Sequence, residues 1–456
     1  MSFSLAGKKI LFACVPADGH FNPLTGLAMY LKEKGCDVRW YTSKTFAAKI
    51  EKLGIRYYTF NKALDVSGPD FEPIVAAREK IRSQVSKLRF DMVEVFIKRG
   101  PEYFEDIKDI HENFEFDLFV ADCLFMGMPY VKEVLRKPVI SIGVLPLLES
   151  SKDIAPAGIG ITPSYTFSGK IKQAILRFVA NQFMFKGPNE VLKKTFFDYG
   201  IAHNGDSIFD QLVQKTDLLL QSGTPGFEYT RSDLGSHIRF IGSLLPYSGN
   251  TEKKSWFDPR VLQFRRVVLV TQGTVEKDVN KILVPTIEAF RGTDILVVAT
   301  TGGSNTAELK KKYATDNIII EDFIPFNDIM PYTNVYVTNG GYGGVMLAIE
   351  NRLPMVVAGV HEGKNEIAAR IGFFDLGINL RTEAPKSAQI FNAVETVNEN
   401  PIYLQRVNEL ASEFKKYDPN KLFAEFASEL MGAKGRISIE SRSGGVGSQR
   451  KKVVAE

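Results

Sequence analysis

Cysteine is scarce in this chain of 456 residues: Cys14, Cys36 and Cys123 are its only three, and no Cys-x-x-C occurs. That is too few, and too scattered, for a disulfide framework or a structural zinc site, and a reducing cytoplasm is the expected compartment. The opening Met1–Gly7 lacks the basic start and apolar core of a signal peptide. No apolar run approaches ~18 residues, so integral membrane association is not expected. Charge of one sign is not in excess either: 57 basic residues face 53 acidic ones, a formal net charge of +4. Residues 432–456, with six basic and two acidic residues, account for that surplus and leave 1–431 near neutral. A body without a basic surplus lacks the phosphate-neutralising surface of a nucleic-acid binder. Asp-x-Asp is absent, as is any His/Cys cluster at metal-ligand spacing, so the expected chemistry needs no metal and no resident cofactor. The absence of Gly-x-Ser-x-Gly removes the usual α/β-hydrolase signature. No Walker A loop and no first-strand Gly-x-Gly-x-x-Gly is present.

What is there reads as ordinary globular composition, 44% hydrophobic and 24% charged, and the length suits two α/β domains. Ile10–Val15 is a short apolar run, read as a buried strand. The Pro/Gly-rich turn Pro16 to Pro23 follows, with Asn22 as the expected cap and Pro23 in the first turn of a helix. Leu24, Leu27, Ala28 and Leu31 mark its apolar face, Gly35 ends it, and Val38–Thr42 is the next strand. This βαβ pattern predicts a parallel sheet. Phe116–Ala121, Val139–Val144 and Asp217–Gln221 read as further strands, with Leu124–Leu135 and much of 70–110 and 165–200 helical. Ile241–Trp256 carries Gly242, Pro246, Ser248, Gly249 and Asn250 and reads as a linker. A second series opens the same way: strands at Val267–Thr271, Ile295–Ala299, Ile318–Ile320, Val335–Thr338 and Met355–Ala358, with a helix marked by Val279, Ile282, Leu283, Ile287 and Phe290. The expected organisation is a first domain over 1–240, a linker over 241–256, a second domain over 257–431 and a disordered basic tail over 432–456.

Open α/β sheets bind ligands at the C-terminal ends of their strands, and the chemically interesting residues lie there. His20 follows the first strand; a loop imidazole can act as a general base near neutral pH. Asp122, after the Phe116–Ala121 strand, is the candidate carboxylate to orient it, while Asp117 precedes that strand and belongs at the opposite edge. The plainer reading is a capping Asp and a surface His. Gly340, Gly341, Gly343 and Gly344 follow Val335–Thr338 and open a helix, where backbone amides approach an anion closely; tight packing alone also needs such glycines. Gly273 and Thr274 offer a second phosphate-facing loop. Phe323 and Ile324 end another strand, where an aromatic can stack on a base or simply be core. His361 to Glu366 is a dense polar run that suits a sugar or a solvated loop. Lys170, Lys172, Arg177 and Lys186 accompany Ile171, Ile175, Phe178 and Phe183, a basic amphipathic helix or else the wall of an acceptor pocket.

Together these pieces resemble the family 1 glycosyltransferases of the UDP-glycosyltransferase superfamily, which have the GT-B fold. The N-terminal run Gly19 to Leu24 and the stretch from Val335 through Leu380 carry the likeness, and Thr338 to Gly344 is similar to bacterial natural-product members. The resemblance covers about residues 8–430. It implies two Rossmann-like, doubly wound domains facing across a cleft, the first for the acceptor and the second for a nucleotide sugar. It implies that His20 deprotonates an acceptor hydroxyl, Asp122 supports it, and the sugar carbon is inverted. Thr274 and the amides around Gly340–Gly344 would hold the diphosphate, Phe323 and Ile324 the base, and Glu362, Lys364 and Asn365 the sugar. The implied donor is UDP-glucose, with a dTDP-sugar as alternative; the implied acceptor is small and lipophilic, such as a phenol, flavonoid, polyketide or sterol. Two positions depart from the family. Asn339 stands where most members carry His, and can still donate a hydrogen bond to phosphate. Leu347 stands where a ribose-binding Glu is usual. They motivate a second reading, a catalytically silent nucleotide-sugar-binding protein. The basic amphipathic helix motivates a third, a lipid glycosyltransferase at the membrane surface with peripheral contact only. The oligomeric state is left open.

Overall fold

The computed structural model describes residues 5–205, 207–249, 255–273, 276–361 and 363–443, with side chains described as far as 432. It contains two parallel sheets. The first runs β3-β2-β1-β4-β5-β6-β7, with β1 Lys9–Ala13, β2 Asp37–Thr42, β3 Arg56–Thr59, β4 Leu118–Asp122, β5 Val139–Gly143, β6 Leu218–Ser222 and β7 Ile238–Gly242. The second runs β10-β9-β8-β11-β12-β13, with β8 Arg266–Thr271, β9 Ile295–Thr300, β10 Ile318–Glu321, β11 Val335–Thr338, β12 Met355–Val357 and β13 Gly377–Asn379.

The central strands read as continuous apolar runs because helices cover both faces of each sheet. Along β1, Ile10 and Phe12 join an apolar layer with Leu24 and Trp40, while Leu11 and Ala13 point into the opposite layer with Phe104 and Phe119. The strands missed by inspection are β3, β7 and β13. Each lies at a sheet edge, and β3 and β13 carry half-buried residues in place of an apolar run. Several helices are shorter than expected: Met128–Glu133 within 124–135, and Leu283–Phe290, which leaves Val279 and Ile282 outside.

The first helix spans Asp18–Glu33, so the expectation that Asn22 caps it is incorrect. The cap position is Ala17, which makes no side-chain cap bond. Asp18 supplies a negative charge to the first turn. Pro23 lies inside the helix. Its missing amide would have bonded to the carbonyl of Gly19, an exposed residue at the helix start, so the proline is tolerated.

The expected linker begins inside β7, whose last residues are Ile241 and Gly242. The chain then runs back along the first domain. Leu244 N–H donates to Ser222 Oγ at 3.2 Å and Tyr247 N–H to Thr25 Oγ1 at 2.8 Å. By Trp256, whose N–H donates to Asp328 Oδ2 at 2.9 Å, it has reached the second domain.

The last helix, Pro419–Ser443, corrects the other boundary. Its Phe423, Ala424, Ala427 and Met431 lie in an apolar layer of the first sheet, so residues assigned in sequence to the second domain complete the core of the first. The helix also continues past 432 into the stretch expected to be disordered: once a packed segment has nucleated, each further residue adds a backbone bond. Residues 444–456 of that expected tail lie outside the described residues. Among the described residues no helix is long and apolar enough to cross a membrane.

Candidate active site

In each sheet the chain builds strands to one side of the first, then crosses to the other side. The crevice at that reversal lies between the ends of β1 and β4 in the first sheet and of β8 and β11 in the second.

The first crevice holds His20 and Asp122. Asp122 is the last residue of β4 and has no exposed surface. Its Oδ1 lies 2.8 Å from His20 Nδ1 and accepts the Leu124 N–H at 2.9 Å. Its Oδ2 accepts the Val15 N–H at 2.7 Å. Two backbone amides thus fix the carboxylate, and the carboxylate fixes the ring. An ionised carboxylate only accepts, so in the neutral ring Nδ1 carries the hydrogen and Nε2 the lone pair. His20 sits in the first turn of the helix, not on a loop as its neighbours Gly19 and Pro23 had indicated. Asp117 lies at the other end of β4, where it accepts the Lys9 N–H at 2.9 Å. Burial, then the nearby Asp122, pushes the thiols of Cys14 and Cys123 up to about 12, so neither competes as a nucleophile at neutral pH.

The second crevice is built from backbone. The helix after β11 is Tyr342–Glu350, with Gly341 at its cap position, so it starts inside the glycine run. Its first internal bond runs from Val345 N–H to the Gly341 carbonyl, so the amides before Val345 have no partner within the helix. Gly340 has φ +83°, and a Cβ there would lie 2.9 Å from Val357 Cγ1. A Cβ on Gly359 would lie 2.1 Å from the Asn339 carbonyl oxygen. Glycine at both positions lets the loop after β12 close against the loop after β11. Asn339, expected as a phosphate donor, is buried and gives its side-chain N–H to the Gln272 carbonyl, tying the β11 loop to the β8 loop that carries Gly273. Gly343 has open space around its Cβ position.

Phe323 is 70% exposed, free of the core. Ile324 is buried in the core, so any contact it makes with a base runs through its main chain. Asn365 directs its side-chain amide to the Gly158 carbonyl at 2.8 Å, across to the first domain, and Lys364 begins the following helix. Thr274 and Glu362 lie outside the described residues. Among the described residues no group of three His, Cys, Asp or Glu side chains is placed to hold a metal ion.

Sequence reasoning missed the part that other residues play in joining the two halves. Tyr342, inside the glycine run itself, donates its hydroxyl to the Ser222 carbonyl at 2.7 Å and accepts from Gln221 Nε2 at 3.3 Å. Burial pushes its phenol far up, so it stays a donor. Glu366 Oε1 accepts the N–H groups of Gly158 and Gly160 at 2.9 and 2.8 Å. Its other oxygen meets Arg370 Nη1 at 2.9 Å, and Arg370 Nη2 lies 2.9 Å from Glu228 Oε2. Burial works against the Arg370 charge, but Glu228 and Glu366 hold the guanidinium above its ordinary range. The i, i+4 spacing of Glu366 and Arg370 was the visible signal. Glu383 accepts the N–H groups of Val360 and His361 at 2.5 and 2.8 Å and holds the loop after β12 from behind.

Residues 303–425 match the family model for UDP-glucoronosyl and UDP-glucosyl transferases. The chain is 32% identical over 416 residues to the 4'-demethylrebeccamycin synthase of Lentzea aerocolonigenes, covering 90% of this chain and 97% of that one. The chain belongs to the UDP-glycosyltransferase family. A second UDP-glycosyltransferase, UDP-glucosyltransferase 1 of Beauveria bassiana, is 31% identical, covering 90% of this chain and 92% of its own. Among solved structures, the glycotransferase of kitacinnamycin superposes with a TM-score of 0.72 at 17% identity, covering 93% of this chain and 99% of its own. CalG4, the calicheamicin glycosyltransferase, does so at 0.71 and 19%, covering 93% and 98%. The two sheets are therefore the paired Rossmann-like domains of GT-B glycosyltransferases, and this UDP-glycosyltransferase is an enzyme of that architecture.

Proposed function

We propose that this UDP-glycosyltransferase moves glucose from UDP-glucose to a hydroxyl of a small lipophilic acceptor, with inversion at the sugar carbon and without a metal. The observation that carries the reading is the His20 Nδ1–Asp122 Oδ1 contact of 2.8 Å on a carboxylate fixed by two backbone amides. His20 Nε2 takes the acceptor's hydroxyl proton while that oxygen forms its bond to the anomeric carbon. The bond from that carbon to the diphosphate breaks on the opposite face, and UDP leaves with the electron pair. Asp122 supports the imidazolium that results. The amides of Tyr342, Gly343 and Gly344 and the positive end of their helix receive the growing charge on the diphosphate. The exposed ring of Phe323 is the stacking surface for the base. Two observations bear on the expected donor contacts: Asn339 and Asn365 each direct a side-chain N–H to a backbone carbonyl, of Gln272 and Gly158. They shape the donor loops, and backbone amides hold the phosphates. The names of the relatives, several of them UDP-glucosyltransferases, support glucose as the sugar.

The test is incubation with UDP-glucose and a mixed phenolic acceptor set, without added metal, read by mass spectrometry beside His20→Ala. The expected result is a hexose adduct made by wild type and reduced about 10²–10⁴-fold in the variant. Full activity in His20→Ala would remove the proposed base. An adduct formed only with a dTDP-sugar would replace the donor and keep the mechanism.

A further inference from the structure

The helix Phe167–Ala180 and the turn that follows it are amphipathic in the wrong sense for a protein surface. The face packed inward carries Gly169, Gln173 and Ala180. Gln173 is satisfied there by the preceding loop: its Oε1 accepts the Ser164 N–H at 2.6 Å and its Nε2 donates to the Asp153 carbonyl at 2.9 Å. Arg177 donates to the Ile154 carbonyl at 2.5 Å from the same side. At 3.6 residues per turn, Phe167, Ile171, Ile175 and Phe178 fall on the opposite side. They are exposed, Phe167 to 83% and Phe178 to 65%, and the stripe continues through Val179 and Phe183, the latter 63% exposed. An apolar stripe along a 14-residue helix is ~21 Å long, more than one small acceptor covers.

We propose that this face is an interfacial helix that docks on an anionic lipid surface. Lys170 and Lys172 are exposed on either flank of the stripe and Lys186 lies just beyond it. No Asp or Glu occurs between Asp153 and Glu190. Apolar side chains framed by cations match the acyl boundary and charged headgroups of such a bilayer. A second copy of the chain suits the face less well, because a two-fold contact sets equivalent patches against each other and brings like charges together. The inference is independent of donor and acceptor, and its test needs no turnover.

The experiment is sedimentation of the full chain with phosphatidylcholine vesicles, with and without phosphatidylglycerol, at low and high salt. Wild type is expected to sediment with the anionic vesicles and be released by salt. Phe178→Ser with Phe183→Ser, and separately Lys170→Glu with Lys172→Glu, should each weaken that partitioning about tenfold or more, with unchanged circular dichroism. Three results would overturn the proposal. One is wild type that stays in the supernatant. Another is binding that both variants retain, which would place it elsewhere, such as the basic 432–456 stretch. The third is a lipid-free dimer in equilibrium sedimentation that the Phe178→Ser, Phe183→Ser variant abolishes, which would make a second copy the occupant.

Discussion

At the end of β4 a fully buried carboxylate holds an imidazole 2.8 Å away. At the end of β11, the matching place in the other sheet, the strand is followed by Asn339, engaged by a neighbouring carbonyl, and a run of glycines. The same crevice has been furnished in two ways. Moving a proton near neutral pH requires a titratable side chain in a fixed orientation, and only rigid hydrogen bonds supply that. Holding a diphosphate requires several donors close together, and bare backbone at a helix start supplies them without desolvating a cation. Under the proposed function, the first site depends on particular side chains, and the second on backbone left bare by glycine.

That contrast can be broken most sharply at Asp122. Asp122→Asn keeps the shape but presents an amide where two N–H groups and a ring N–H need acceptors. Turnover should fall about 10²-fold or more with donor KM little changed, measured by steady-state kinetics. A stability loss of about 1–3 kcal/mol should accompany it in urea titration. On the donor side the effect should reverse in kind. Gly340→Ala forces a side chain onto φ +83° and against Val357, costing about 2 kcal/mol and raising donor KM more than it lowers kcat. An unchanged donor KM would show that the loop's backbone does not hold the diphosphate. Tyr342→Phe deletes the hydroxyl that bridges the two halves. It should cost about 1 kcal/mol in thermal unfolding, because the Ser222 carbonyl keeps a bond from Gln221 Nε2 at 3.1 Å.

The smallest effect is set by pH. Burial raises the Glu383 carboxyl, but the Val360 and His361 amides outweigh it and leave its pKa below the ordinary value. A group with a depressed folded pKa contributes stability above its unfolded pKa and loses it as pH falls through the folded one. Between about pH 7 and about pH 4, wild type should lose slightly more Tm than Glu383→Gln, by calorimetry, because the variant has already lost that contribution.

Much of the first site was legible. The strands before His20 and before Asp122 are unbroken apolar runs, and two short loops follow them, so strand order alone brings the pair together. The glycine run after β11 was legible for the same reason. Less visible were Glu228, Glu366 and Arg370, which touch across more than a hundred residues of chain and whose spacing carries no local period beyond one i, i+4 pair. The edge strands β3 and β13 were missed because half-buried strands have no continuous apolar run. The Phe167–Ala180 helix shows the limit in another way: its amphipathicity was plain, but periodicity identifies two faces without saying which is packed.

The sequence by itself determined the two parallel sheets and the residues that follow their strands, because those depend on local apolar runs and turn residues. Only the tertiary structure decided that Asn339 and Asn365 serve neighbouring backbone, that the last helix returns to the first domain's core, and that an apolar helix face is left in water. Each of these is a choice between partners distant in sequence, and such choices are settled by which surfaces meet when the sheets and helices pack.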